Sequence, residues 1–188
     1  MKTRAALLTR MGAPAPYADS RPLEVIEVEL APPGPGEVLL SMRAAGLCHS
    51  DLSVIDGNRP RPLPMVLGHE GAGIVEELGP GVTDLAVGDP VVTTFVPSCG
   101  HCAPCLDARP ALCEPGFAAN SAGTLLDGHR RLRRSGGGEA LNHHLGVSAF
   151  AEHAVVRRES LVRVDRSLGF DEAAVFGCAV ITGTGAVL

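Results

Sequence analysis

Four cysteines, Cys99, Cys102, Cys105 and Cys113, follow the spacing C-x2-C-x2-C-x7-C, with Gly100 and Pro104 between them. Four thiolates on one compact lobe can close a tetrahedron around zinc. A disulfide pair or inert buried thiols would be the plainer use, but three cysteines at steps of three are not a core pattern. An iron–sulfur cluster also takes four thiolates, yet no electron-transfer feature accompanies these. A closed four-cysteine site leaves no place for substrate, so its role is expected to be structural.

The other two cysteines belong to a second constellation. The stretch Met65-Val-Leu-Gly-His-Glu-Gly-Ala-Gly-Ile-Val75 sets an ionisable pair, His69 and Glu70, inside an apolar, glycine-rich run. Burying such a pair costs several kcal/mol unless a partner or metal satisfies it. A lone histidine there would read as a satisfied core residue beside a turn. Here Cys48-His49-Ser50-Asp51 lies upstream and Gly177-Cys178 far downstream. Cys48, His69 and Cys178 together are two thiols and an imidazole, three ligands with a fourth position open, which is the composition of a catalytic zinc site.

The bulk composition fits a folded metalloprotein. Apolar residues make up 45% and charged residues 20% of the 188, which indicates a globular chain. A net charge of −5 argues against a nucleic-acid partner. No apolar run approaches the roughly 20 residues of a membrane helix. The apolar patch in Met1 to Arg10 is too short for a signal peptide. Without a secretion signal, six cysteines suggest metal or catalysis rather than disulfides, and a cytoplasmic location is expected.

Turn residues divide the chain into short strands: Gly occurs 23 times and Pro 15 times. Strands are expected at Thr3 to Leu8, Leu23 to Leu30, Glu37 to Gly46, Val66 to Leu78, after Gly88-Asp-Pro90, at Phe150 to Val156 and at Leu161 to Val164. Cys48 is expected to open a short helix. Gly12 to Arg21 and Asn58 to Pro64 read as loops. Gly123 to Arg134 reads as a hairpin, with His129-Arg-Arg-Leu-Arg-Arg134 on its solvated face and Ser135-Gly-Gly-Gly138 a flexible loop. His143-His144 reads as an exposed loop pair. From Phe170 through Val180 one helix is expected, its acidic first turn suited to the helix dipole.

Gly46-Leu-Cys-His-Ser-Asp51, Leu67-Gly-His-Glu-Gly-Ala-Gly73, the four-cysteine lobe, Gly146 to His153 and Phe176 to Gly183 occur in this order. Together they resemble the zinc-dependent alcohol dehydrogenases of the medium-chain dehydrogenase/reductase family, along almost the whole chain. The resemblance implies a mainly β fold with short helices: a GroES-like β-barrel catalytic domain over residues 1–175, carrying a structural-zinc lobe at about 95–115. Residues 176–188 would begin the linking helix towards an NAD-binding Rossmann domain that this chain does not contain.

The same resemblance implies roles for single residues. Cys48, His69 and Cys178 match ligands of a catalytic zinc, and Cys99, Cys102, Cys105 and Cys113 those of a structural one. Glu70 matches an acid that approaches the metal during ligand exchange. Asp51 matches the carboxylate that orients the ligand histidine, a role the physics also requires. Ser50 matches the hydroxyl that takes the substrate's proton, and His49 a contact to the cofactor pyrophosphate. Phe95 and Phe150 match apolar walls of the alcohol pocket and Thr182 a nicotinamide contact; an ordinary core role competes for these three.

Two departures stand out. Ser53 occupies a position where many members carry a histidine that completes a proton relay. No G-x-G-x-x-G follows a strand, so the dinucleotide fingerprint is missing from this chain. The expected function is oxidation of a small alcohol to an aldehyde or ketone with NAD, this chain supplying the zinc and substrate half of a homo-oligomeric enzyme and turning over nothing alone. A thiol-dependent formaldehyde dehydrogenase is the enzymatic alternative, and a zinc-binding module without activity the non-enzymatic one.

Overall fold

The computed structural model describes residues 1–188 in full. Its frame is β1 (Lys2–Leu8), β2 (Leu23–Leu30), β3 (Glu37–Gly46), β4 (Met65–Val66), β5 (Glu70–Leu78), β6 (Pro90–Thr93), β7 (Leu132–Arg134), β8 (Ala140–His143), β9 (His153–Arg157) and β10 (Leu161–Arg163). The helices are α1 (Tyr17–Ser20), α2 (His49–Ile55), α3 (Ala103–Leu106), α4 (Glu114–Ala122), α5 (Phe170–Ala173) and α6 (Ala179–Gly185). No helix is long and apolar enough to cross a membrane.

The strands β1, β2, β7, β8 and β4 close a barrel, and β10, β6, β5, β3 and β9 form a second sheet in that order. Period-two patterning explains the barrel interior: Ala5 and Leu7 of β1 and Val28 and Leu30 of β2 point inward, against Leu132 and Leu141. A second core of Val38, Leu40, Val75, Val91 and Val156 fills the other sheet. A third, Leu8, Val54, Ile55, Met65 and Leu67, fastens α2 to the barrel. The last turn of α2 is thereby held against β4 and the residue after it, which positions the site.

Most of the expected strands are present, and six local expectations need correction. The expected strand from Val66 to Leu78 is two strands, because Gly68 breaks it with φ +90. The hairpin is β7–β8, with Ser135 to Gly138 as its tip, and Gly123 to Arg131 precedes it as a turn. Its basic cluster is only partly solvated: Arg131 lies 2.8 Å from the buried Glu37 carboxylate. Gly12 to Arg21 contains one helical turn, α1. The expected helix from Phe170 breaks at Cys178, whose φ −142 and ψ −70 separate a 3-10 turn (Ala174–Gly177) from α6.

The largest correction concerns His143 and His144, which are 0% and 1% exposed rather than on an open loop. His143 ends β8 beside Val66 of β4. Its Nε2 accepts the Arg131 backbone N–H at 3.1 Å, and its Nδ1 lies 3.3 Å from Ser148 Oγ. Two satisfied ring nitrogens allow an imidazole to be buried. An additional helix, α4, follows the cysteine lobe; Cys113 caps it, Pro115 stands in its first turn and Gly123 ends it in the left-handed conformation.

Candidate metal and substrate site

Cys48 is the N-cap of α2, where a serine or threonine usually stands. Its Sγ accepts the Ser50 N–H at 3.4 Å, and its own N–H donates to Asp51 Oδ2 at 3.3 Å. Asp51 Oδ1 accepts the Gly68 N–H at 2.9 Å, so one buried carboxylate joins the start of α2 to the turn that presents His69. Gly68 is required there: a Cβ would lie 2.6 Å from the Phe150 backbone nitrogen, and the backbone is left-handed. Thr93 Oγ1 of β6 accepts the Gly71 N–H at 2.8 Å and donates to the His69 carbonyl, fixing the backbone around the pair.

Cys178 arrives from the far end of the chain. Gly177 lets it approach β6, since a Cβ there would sit 1.7 Å from the Thr93 carbonyl oxygen. The result is one cluster: ligand atoms of Cys48, His69, Glu70 and Cys178 all lie within 4.8 Å of one another. The Cys48 and Cys178 sulfurs are 3.9 Å apart. That is far beyond a disulfide at about 2.05 Å, and near the edge, about 3.8 Å, of a tetrahedron with Zn–S bonds of about 2.3 Å. His69 is fully buried, yet neither ring nitrogen has a hydrogen-bond partner. Burial, then the negative neighbours Cys48 and Glu70, pushes the Cys178 thiol up to about 12. A dication would remove both penalties, so these residues fit zinc.

Asp51 faces two imidazoles. His69 Nδ1 lies 3.3 Å from Oδ2 and His144 Nδ1 3.0 Å from Oδ1, although neither N–H points squarely at its oxygen. Burial alone would raise the Asp51 pKa; His144 and then His69 outweigh it and hold the carboxyl well below the usual range. The rings of His69 and His144 meet edge to face at 5.5 Å, and Phe95 stands edge-on to His69 at 5.0 Å.

Ser50 is half-buried, with Arg59 Nη1 at 3.5 Å from its Oγ. A cleft of about 350 Å³ beside Cys48 is lined by Leu47, His49, Leu52 and Phe150. His49 is exposed, as is Thr182 one turn beyond Cys178. The structure thus gathers Cys48, Ser50, Asp51, His69, Glu70, Phe95, Phe150 and Cys178, and leaves His49 and Thr182 on the outside. Sequence reasoning missed His144 at this site and Arg59 beside Ser50. The signal for His144 was its place just after β8, between Leu141 and Leu145, in an otherwise buried run.

The second cluster is built from tight turns. Sulfur atoms of Cys99, Cys102, Cys105 and Cys113 lie within 4.8 Å of one another, Cys102 and Cys113 at 3.9 Å. Backbone N–H groups of Cys99 and Gly116 donate to Cys113 Sγ at 3.2 and 3.3 Å, and that of Cys102 to Cys99 Sγ at 3.3 Å. Donation from the His101 backbone lowers the Cys99 thiol to about 6, whereas burial and the neighbouring sulfurs raise Cys105 to about 12. All six cysteines are free thiols. A thiolate forms readily at Cys99, and a cation would offset the cost of one at Cys105, which again fits zinc.

Comparison with known proteins agrees with this geometry. Residues 34–166 match the alcohol dehydrogenase GroES-like domain. An S-(hydroxymethyl)glutathione dehydrogenase of Synechocystis is 39% identical over 188 residues, covering 100% of this chain and 48% of its own. The crystal structure of an alcohol dehydrogenase zinc-binding domain protein from Burkholderia ambifaria superposes with TM-score 0.89 at 39% identity, covering 100% of this chain and 48% of its own. Benzyl alcohol dehydrogenase from Acinetobacter calcoaceticus does so with TM-score 0.85 at 35% identity, covering 99% and 47%. The chain spans about half the length of the relatives it matches. By its matched residues and its fold, this chain belongs to the alcohol dehydrogenase GroES-like domain family of the zinc-dependent medium-chain dehydrogenases.

Proposed function

We propose that this chain supplies the zinc and substrate half of an enzyme that reversibly oxidises an alcohol to an aldehyde or ketone with transfer of hydride to NAD. The observation that carries this reading is the convergence of Cys48, His69 and Cys178 around a buried imidazole with no hydrogen-bond partner on either nitrogen. Three ligands leave one position for a substrate oxygen. Zinc held there would supply Lewis acidity, which makes a hydroxyl easier to deprotonate. NAD would supply the hydride acceptor.

The protein groups divide the remaining work. Ser50 would relay the alcohol's proton, accepting it on Oγ while its own hydroxyl proton passes outward to water, and the Arg59 guanidinium at 3.5 Å favours negative charge on Oγ. Asp51 orients His69. Glu70, inside the ligand cluster, would be placed to approach a metal held there during ligand exchange. Phe95 and Phe150 would form apolar walls, and the exposed His49 and Thr182 would meet the cofactor's pyrophosphate and nicotinamide. The four-cysteine lobe holds a structural zinc. Residues 1–175 act as the catalytic domain and residues 176–188 lead towards a cofactor domain.

The protein at its natural full length tests the reading. We expect alcohol-dependent formation of NADH that His69→Ala abolishes; unchanged turnover in that variant would overturn it. A second reading, thiol-dependent formaldehyde oxidation, is favoured by the 39% identity to the S-(hydroxymethyl)glutathione dehydrogenase. Formaldehyde oxidation that appears only with glutathione or mycothiol added would select it.

A further inference from the structure

His144 has no place in the account so far, and its surroundings give it one. It is 1% exposed, and its Nδ1 lies 3.0 Å from Asp51 Oδ1. A bare Nδ1 would set a nitrogen lone pair against a carboxylate oxygen, so Nδ1 carries the proton. The other carboxylate oxygen, Oδ2, is the one near His69 Nδ1, at 3.3 Å. The same oxygens also accept the Gly68 and Cys48 backbone N–H groups. Each Asp51 oxygen therefore accepts one backbone N–H and has one imidazole Nδ1 within 3.3 Å, held there by charge rather than by an aligned hydrogen bond.

This arrangement controls His69. A carboxylate with two free lone-pair directions can rotate about its χ2 torsion, carrying a hydrogen-bonded ring with it. With His144 on Oδ1 and two backbone N–H groups on either side, that rotation is blocked. Oδ2 then stays beside Nδ1 of His69, at 3.3 Å, where its negative charge favours the proton on that nitrogen. Nε2 of His69 is left bare, as a metal ligand must be. The edge-to-face contact of the two rings at 5.5 Å fixes His144 from the other side.

We infer that His144 is a positioning residue for the metal ligand His69, acting through Asp51: a His–Asp–His chain in which the outer ring locks the carboxylate. The inference rests on the proposal that His69 binds zinc with Cys48 and Cys178. Its chemical requirement is narrow: a donor at the Nδ1 position of residue 144.

Two isolated substitutions separate that donor from mere packing. In His144→Asn the side-chain amide nitrogen can stand where Nδ1 stands, whereas in His144→Gln it reaches towards the Nε2 position. Both leave a polar group of similar character in the same buried space. The experiment is a competitive chelator titration of zinc, with cobalt substitution followed by its visible d–d bands, on the full-length protein. The four-cysteine lobe serves as the internal reference. We expect His144→Gln to bind metal at the His69 site 10–100-fold more weakly than the native protein, with shifted cobalt bands, and His144→Asn to recover most of the affinity and the native spectrum. Equal affinity in the two variants, whether both native-like or both weak, would overturn the inference. Failure of the underlying proposal looks different: in the native protein, His69→Ala would then leave metal content and the cobalt spectrum unchanged.

Discussion

Glu70 Oε1 accepts the backbone N–H of Ala179 at 3.1 Å, across 109 residues of sequence. This bond ties β5 to the first turn of α6, immediately after Cys178, so the acid beside the candidate metal also holds the distant ligand in place. Glu70→Ala removes that bond, a cost of about 0.5–1.5 kcal/mol because the exposed Ala179 N–H can turn to water, and frees Cys178. We expect lower thermal stability and weaker zinc binding at the His69 site, with Glu70→Gln retaining stability because it keeps an acceptor oxygen. Chelator titration and thermal melting check both; an alanine variant that holds zinc like the native protein would contradict the tie.

The two cysteine-bearing clusters share no residue, so they should empty independently. Cys178→Ser is expected to remove one zinc per chain and leave the lobe loaded, and Cys105→Ser the reverse. Elemental analysis of each variant decides it. Loss of both metals in Cys178→Ser would show that the sites are coupled.

Gly177 approaches the Thr93 carbonyl more closely than any side chain permits, with 1.7 Å left for a Cβ. Gly177→Ala must push the 3-10 turn away from β6 and move Cys178 with it. We expect at least about 2 kcal/mol of destabilisation, in the range of overpacked cores, together with reduced metal content. Denaturant melts with the lobe's metal retained give the magnitude, and a native-like melt would refute the close approach.

Burial, reinforced by Arg130 and Arg131, depresses the His143 pKa from 6.5 to about 4. The unfolded chain therefore binds a proton in this window that the folded chain refuses. Stability from this residue is fully present above about pH 6.5 and is lost as pH falls towards 4, by about 3 kcal/mol at most. His143→Gln, whose side-chain oxygen can still accept the Arg131 N–H, should flatten that part of the acid-unfolding profile. An unchanged profile would mean that another group carries the acid sensitivity.

Local pattern made much of this fold readable. Alternation marks β1 and β2, glycine and proline mark the turns, and the cysteine spacing marks the lobe. What it missed was decided by tertiary contacts. Gly177 only weakens a helix before Cys178, by about 1 kcal/mol; the break itself comes from docking against Thr93 and Glu70. His143 and His144 read as a polar loop because the Arg131 N–H and the Asp51 carboxylate that satisfy them come from other segments. The start of α4 was hidden because its cap, Cys113, reads as a lobe cysteine.

Zinc removal and restoration in the full-length protein test the central claim most directly. Alcohol-dependent NADH formation should disappear on treatment with a chelator that empties the His69 site and return when zinc is added back. Turnover that persists after elemental analysis shows the site empty would contradict the proposed role of Cys48, His69 and Cys178.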